Sequence, residues 1–104
     1  MYVIIWEYRV RAECTVEFEQ IYHPGGKWAD LFKNGNGFMG TELLRDPEDR
    51  QRYITIDRWV SSEDYELFLS QWKKEYKALD SQCEGLTEQE TLSGKWKSVI
   101  FETR

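Results

Sequence analysis

The side chains best suited to chemistry in this chain lie in residues 52–60, where polar and apolar residues alternate. Tyr53, Asp57 and Trp59 fall on the same parity, so a strand there puts a hydroxyl, a carboxylate and an indole on one face. A carboxylate can take a proton from a bound molecule, and a phenolic hydroxyl can donate a hydrogen bond to an anion. The pattern therefore indicates a site for proton transfer beside an aromatic wall.

Aromatic residues are the compositional peculiarity of the chain, which has five Trp, six Tyr and five Phe among 104 residues. Wide rings fill a core, but they also line ligand pockets. Several of them fall where a sheet would meet its helices, and these could form a box for a planar aromatic molecule: Trp6, Tyr8, Trp59, Phe68, Trp72 and Tyr76. Ordinary core packing is the alternative interpretation of each ring.

The only histidine, His23, is a further candidate base, because an unperturbed imidazole titrates near neutral pH. It precedes Pro24 and two glycines, a sequence that interrupts a regular helix. At such a break His23 could stand at the mouth of a pocket, or it could be a plain surface residue. One histidine and two distant cysteines do not have metal-ligand spacing, so we expect no metal.

The elements that must position these residues follow from the hydrophobic periodicity. Period-two runs predict strands, and apolar stripes at i+3 and i+4 spacing predict helices. The order is β-α-β-β-α-β, which predicts a ferredoxin-like α+β sandwich in which two helices cover one face of a four-stranded antiparallel sheet. We expect the 104 residues to form one domain, with strands at 2–10, 38–45, 52–60 and 88–101 (interrupted or bulged near Gly94) and helices at 14–32 (broken at 23–26) and 65–83.

The second face of this sheet is also apolar, although two helices can cover only one face. Val3 and Ile5 lie there on the first strand, and Ile54, Ile56 and Val60 lie there on the third. Such a set would be open to water in a monomer, so we predict a homodimer that buries it.

Charge excludes several classes of partner. The net charge is −5 with no run of five like charges, so we expect no nucleic acid and no anionic membrane as a partner.

No apolar stretch approaches the length of a membrane span, and no targeting segment is visible. Two cysteines make no disulfide framework, and we expect a cytoplasmic protein with free thiols.

Specific residues resemble a known family. Gly40-Thr41-Glu42-Leu43-Leu44-Arg45-Asp46 and Ile56-Asp57-Arg58-Trp59 are its distinctive part, and Trp28-Ala29-Asp30-Leu31-Phe32 with Ser62-Glu63 and Tyr65 adds to it. In these stretches the chain is similar to the antibiotic biosynthesis monooxygenase family of small dimeric α+β barrel proteins, over residues 2–96. The resemblance implies a pocket between sheet and helices in each subunit, and a barrel formed where the other sheet faces meet.

The family resemblance implies a small aromatic molecule as ligand and suggests a function. We expect a cofactor-independent monooxygenase or quinol oxygenase, because a deprotonated phenol or quinol can pass an electron to O₂ by itself. The alternative is a non-catalytic dimeric ligand-binding or stress-response barrel, since fold membership does not settle chemistry. A cavity of about 300 Å³ or more, bounded by Trp6 and Trp59 and holding a polar group, would favour an oxygenase or binder.

One branch of this family degrades haem, and a residue comparison with that branch argues against haem binding here. Trp59 matches the pocket tryptophan of that branch, which makes Trp59 a candidate catalytic residue. That branch also uses an Asn in the first strand, where this chain has Trp6, and a His in the second helix, which has none here. Without an axial ligand we expect no haem and no other cofactor.

Overall fold

The sheet has the strand order of a ferredoxin-like fold. The structure is a computed structural model that describes residues 1–101. Strand β1 pairs antiparallel with both β3 and β4, and β2 pairs antiparallel with β3, which gives the order β2-β3-β1-β4. This confirms the predicted fold class. The described elements are β1 (Tyr2–Val10), α1 (Thr15–Tyr22), α2 (Lys27–Phe32), β2 (Phe38–Arg45), β3 (Arg52–Trp59), α3 (Ser62–Gln71), α4 (Lys73–Cys83) and β4 (Thr87–Lys97).

The alternation of β3 shows which face the helices cover. Tyr53, Thr55, Asp57 and Trp59 are all buried, whereas the residues between them are only half-buried. Side chains two apart share a face, so this set faces the helices together with the buried residues of β1. The core is the aromatic and aliphatic layer between that face and the helices.

The predicted second helix, residues 65–83, is two helices rather than one. Trp72 interrupts it with φ −113° and ψ 27°, and its N–H still donates to the Phe68 carbonyl oxygen at 2.9 Å. Helix α3 packs on β3, whereas α4 packs against α2, so the break lets one segment follow two surfaces. No Pro or Gly marks this position, and the apolar stripe continues across it. Ser61 caps α3 as its sequence predicts, accepting a hydrogen bond from the Asp64 N–H at 3.1 Å.

The last strand also differs from its prediction. It is one continuous element, and its pairing with β1 shifts register between Ile5 and Trp6, beside Gly94. The irregularity predicted at Gly94 is therefore confirmed. The predicted strand to Phe101 is wrong at its end, because β4 stops at Lys97 and the apolar residues Val99 to Phe101 are exposed.

The other sheet face carries Val3, Ile5, Ile54 and Ile56 as the sequence predicts, whereas Val60 follows the end of β3 at Trp59. Ile5 lies opposite Ile56, Val3 opposite Trp96, and Leu44 opposite Ile54. Trp96 is 56% exposed and Leu44 45%, while the isoleucines are half-buried. We call these residues of β1–β4 the open face: Val3, Ile5, Leu44, Ile54, Ile56 and Trp96. Among residues 1–101 no helix is long and apolar enough to cross a membrane.

The break between α1 and α2 gives a stability prediction. A Cβ at Gly26 would lie 2.3 Å from the Ile21 carbonyl oxygen, whereas a Cβ at Gly85 would meet nothing within 4 Å. Because backbone cannot move aside cheaply, we expect Gly26→Ala to lower the free energy of unfolding by about 2 kcal/mol or more. Urea denaturation measures this. The matched Gly85→Ala should change stability little, and equal effects of the two substitutions would contradict the packing of this loop.

Candidate active site

A cavity of about 160 Å³ lies between the helix-covered face of the sheet and the helices. The strands form the floor of this cavity. Helices α1, α2 and α4 contribute its aromatic walls, and acidic side chains lie at its open end. Its lining residues are Trp6, Tyr8, Tyr22, Trp28, Phe32, Thr41, Thr55, Asp57, Tyr76, Asp80 and Glu90. The volume is below the 300 Å³ that we expected of an oxygenase pocket, and it is near the ~150 Å³ that holds one benzene-sized ring.

Asp57 is the polar group at the floor. It is 8% exposed, because β3 turns it toward the helices, and Thr41 lies directly opposite it on β2. The Thr41 hydroxyl donates a hydrogen bond to one carboxylate oxygen of Asp57. Burial raises the pKa of Asp57 to about 6, and the hydrogen bond from Thr41 partly opposes this shift. The cavity therefore holds a carboxyl group that changes charge just below neutral pH.

Two hydroxyls accompany this carboxyl group on the floor. The hydroxyls of Tyr8 and Thr55 are hydrogen-bonded to each other, 3.0 Å apart, and both residues are buried. Burial raises the pKa of Tyr8, so its phenol stays protonated at neutral pH. The pair offers a bound molecule polar contacts that do not ionise.

Rings from three helices form the walls. The Trp28 ring packs edge-on against Tyr76, with centroids 5.1 Å apart, and lies 5.8 Å from Phe32 and 6.2 Å from Tyr22. Trp28 is buried, whereas Tyr76 and Trp6 are half-buried toward the open end. A flat aromatic molecule can stack or meet ring edges on such walls.

Asp80 and Glu90 are the exposed lining residues at the open end. Glu90 lies opposite Tyr8 across the β1–β4 pair, which turns its side chain to the cavity side. Partial burial raises the pKa of Glu90, and the neighbouring Asp80 carboxylate adds to the shift. The cavity is thus acidic at both ends.

Trp59 lies beneath the cavity rather than on its wall. It is 0% exposed, and rings of Phe38, Phe68, Tyr65 and Phe32 surround it at centroid distances of 5.2 to 5.9 Å. The predicted pocket placement of Trp59 and Phe68 is corrected accordingly, because both side chains are buried in the core and neither lines the cavity. Trp59 contacts the wall residue Phe32 and so supports the cavity from below.

Trp72, Tyr53 and His23 also lie outside the cavity. Trp72 packs at the edge of the core, at the break between α3 and α4. The Tyr53 hydroxyl donates to a Glu19 carboxylate oxygen at 2.5 Å and borders a separate, more open depression at the β2–β3 hairpin. His23 is exposed, and its Nδ1 accepts a hydrogen bond from the Gly25 N–H at 3.1 Å. Their catalytic roles stay predictions, without support from the cavity geometry.

Of the residues predicted for the site, Trp6, Tyr8, Asp57 and Tyr76 line the cavity. Sequence reasoning missed seven others. Thr55 shares the parity of Asp57, so the strand pattern contained that signal, whereas the Thr41 contact depends on a cross-strand register. The missed lining residues are Tyr22, Trp28, Phe32, Thr41, Thr55, Asp80 and Glu90.

The lining does not fit haem. No His, Cys or Met is among the lining residues, and burial raises the pKa of the lining tyrosines Tyr8, Tyr22 and Tyr76, which disfavours the phenolate that would bind haem iron. The cavity volume of about 160 Å³ matches one ring rather than a porphyrin. Carboxylates at both ends would also repel the propionates of haem. Within residues 1–101, no group of three His, Cys, Asp or Glu side chains is arranged to hold a metal ion.

Comparison with known proteins agrees with this fold. The model of the family described as antibiotic biosynthesis monooxygenase matches residues 1–78. A mutant of SnoaB, a cofactor-independent oxygenase from Streptomyces nogalater, is similar with a TM-score of 0.73 and 19% identity, over 96% of this chain and 94% of that one. PA3566 from Pseudomonas aeruginosa has a TM-score of 0.69 and 12% identity over 95% and 94%.

A haem-related neighbour is similar as well. A mutant of MhuD, crystallised with two manganese protoporphyrin IX per active site, has a TM-score of 0.64 and 20% identity over the full length of both chains. Identities this low show a shared fold. No curated protein sequence matches the chain significantly.

The raised pKa of Asp57 predicts how stability depends on pH. The folded pKa is about 6 and the ordinary value is 3.8, so the contribution of Asp57 to stability is full below about pH 4 and is lost as pH rises through 6. Asn cannot ionise. We therefore expect Asp57→Asn to be more stable than the parent at pH 8, by up to about 3 kcal/mol, and similar to it near pH 4.

Urea denaturation at the two pH values measures this difference. Glu48→Gln, on the exposed hairpin turn, is the control for loss of one negative charge and should show no such pH dependence. An Asp57→Asn variant less stable than the parent at pH 8 would contradict the uncompensated burial of this carboxylate.

Proposed function

The chain belongs to the antibiotic biosynthesis monooxygenase family, and we propose that it is a cofactor-independent oxygenase that oxidises a small phenol or quinol in the cavity. The observation that carries this proposal is the buried carboxyl group of Asp57 at the floor of an aromatic-walled cavity. No cation pairs with it among the described residues, and its pKa of about 6 leaves it ionised and basic at neutral pH.

Asp57 is suited to act as the general base. A phenol stacked on Trp28 or Trp6 can direct its hydroxyl to the floor, where the Thr41 hydrogen bond fixes the orientation of the carboxylate. A base whose pKa lies near the working pH combines a useful charged fraction with proton affinity. Tyr53 and His23, two other predicted catalytic residues, do not reach this cavity.

The proposed reaction draws its electrons from the substrate. The phenol proton passes to Asp57, and the phenolate gives one electron to O₂, which forms a phenoxyl radical and superoxide. These join through a ring carbon–oxygen bond to give a peroxide anion. The proton on that carbon moves to the outer oxygen as the O–O bond breaks, so a quinone carbonyl forms and hydroxide leaves. The hydroxide takes the proton from Asp57 to become water.

The aromatic walls support this chemistry in two ways. They hold the substrate ring, and they keep bulk water from the radical pair and the peroxide. The Tyr8 and Thr55 hydroxyls, hydrogen-bonded to each other at 3.0 Å, supply polar contacts on the same floor without competing for the proton. The volume of about 160 Å³ limits the buried part of the substrate to about one ring.

The same small volume favours one alternative, a non-catalytic dimer that binds an aromatic molecule, because a cavity filled by about one ring leaves little room for O₂ beside it. The cavity is smaller than the 300–1,000 Å³ common for ligand sites. Oxygen uptake decides between the two functions, because a binding protein would take up the phenol without consuming O₂.

We also propose that the protein acts as a homodimer through the open face. Its six apolar residues form one patch, and ion pairs flank it, with Arg52 to Glu7 at 3.0 Å and Arg58 to Glu42. An apolar patch with a charged rim is typical of a surface that pairs with a partner. A second copy would bury it on the side of the sheet away from the cavity.

Oxygen uptake with one-ring phenols and hydroquinones, without added cofactor, tests the oxygenase proposal. We expect turnover in the parent, with kcat/KM rising as pH increases through about 6 because Asp57 must lose its proton. Asp57→Asn should lower kcat by roughly 10²- to 10⁴-fold and abolish that rise.

His23→Ala and Tyr53→Phe separate the role of Asp57 from those of two other predicted catalytic residues. Both residues lie outside the cavity, so turnover should be close to that of the parent. Loss of turnover in either variant, with Asp57→Asn still active, would assign the base elsewhere. No oxygen uptake across the panel by an intact protein that binds the phenols would favour the non-catalytic alternative.

Light scattering after size-exclusion chromatography tests the dimer. We expect a dimer at micromolar concentration, and Ile56→Lys, which places a charge on the open face, should yield a monomer. Val16→Lys is the matched control, because Val16 is 71% exposed on α1 and lies outside the open face. A parent protein that stays monomeric would overturn the proposal.

A further inference from the structure

Carboxyl groups at both ends of the cavity lack a cation in the part of the chain that the structure describes. Several carboxylates of the sheet and its turns pair with arginines, as Glu7 does with Arg52 at 3.0 Å and Asp49 with Arg9 at 3.0 Å. Asp57, Asp80 and Glu90 take part in none of the ion pairs within residues 1–101. Three unneutralised carboxyl groups therefore share one small cavity.

No positive side chain balances them there, because Lys, Arg and His are absent from the eleven lining residues. The resulting negative field acts on Tyr76, which lies between the two ends. Burial raises the pKa of Tyr76 to about 12, with further contributions from Asp80, Asp57 and Glu90, in that order. An anionic ligand would meet the same repulsion.

The two ends of the cavity differ in depth. Asp57 is 8% exposed at the floor, whereas Asp80 and Glu90 are exposed at the mouth beside the half-buried rings of Trp6 and Tyr76. Carboxylates together with aromatic faces form a favourable environment for an organic ammonium group, through charge attraction and cation–π contact. The floor, in contrast, is suited to a hydroxyl that gives up its proton.

We infer that the cavity selects a phenol carrying a protonated amine, with the hydroxyl at Asp57 and the ammonium group at Asp80 and Glu90. This inference rests on the proposed function and names the class of substrate for the same site. A one-ring body with a short aminoalkyl arm matches the volume of about 160 Å³ and the acidic mouth. Phenols that carry a carboxylate or phosphate at the same position are disfavoured.

Three phenols of one shape test the charge preference: tyramine with an ammonium group, 4-ethylphenol with none, and 4-hydroxyphenylacetate with a carboxylate. Binding is followed by NMR through the indole N–H signals of Trp6 and Trp28. We expect tyramine to bind roughly five- to twentyfold more tightly than 4-ethylphenol, and 4-hydroxyphenylacetate to bind most weakly. Added salt should reduce the differences because the mouth is exposed.

Glu90→Gln and Asp80→Asn test whether the carboxylates at the open end cause the preference for the ammonium-bearing phenol. Each should lower the ratio of tyramine to 4-ethylphenol affinity severalfold while leaving 4-ethylphenol affinity nearly unchanged. Glu88→Gln is the matched control, since Glu88 lies on the same strand, is exposed, is paired with Arg9 at 3.5 Å and does not line the cavity. Its ratio should equal that of the parent.

The possible results separate this inference from the proposed function. If 4-ethylphenol binds as tightly as tyramine, or if Glu88→Gln changes the ratio as much as Glu90→Gln, the charge selection is overturned while the phenol site stands. If none of the three phenols shifts the Trp6 or Trp28 signals, both the inference and the proposed oxygenase site are overturned.

Discussion

Packing around Trp59 is the interaction on which the rest of the structure depends. Its ring contacts Phe38 of β2, Phe32 of α2 and Phe68 of α3, at 5.2 to 5.9 Å between centroids, and so joins the sheet to two helices. Because α2 is held there, its other aromatic residue, Trp28, is positioned as a cavity wall. The shape of the cavity therefore depends on how the buried indole of Trp59 holds the helices against the sheet.

Burial of Asp57 lowers the stability of the folded state but raises the proton affinity of the carboxylate at the candidate site. A carboxylate that is 8% exposed and has no cation beside it within residues 1–101 destabilises the folded state when it ionises. That same exclusion from water gives it the proton affinity that a general base needs. Burial of the aromatic core beside it stabilises the folded state and opposes this cost.

Alternation within strands was readable from the sequence, and it located Asp57, Trp6 and Tyr8 on the helix-covered face. How far each side chain of that face lies from the cavity could not be predicted from the sequence. Trp59 and Asp57 share a parity, yet only Asp57 reaches the cavity, because the positions of α2 and α3 decide what is covered. Contacts such as Thr41 to Asp57 depend on register between strands, and the helix break at Trp72 depends on tertiary packing. Neither leaves a local sequence pattern.

The two faces of β3 constrain how this chain can evolve. Ile56 lies on the open face and Asp57 on the cavity floor, so neighbouring codons specify the apolar patch and the cavity separately. Substitutions can adjust either face alone. A single-codon insertion or deletion within the strand would instead exchange the faces, placing isoleucine or arginine in the cavity and the carboxylate in the apolar patch. Length variation among descendants should accordingly concentrate in the turn at residues 46–51 and spare the strand.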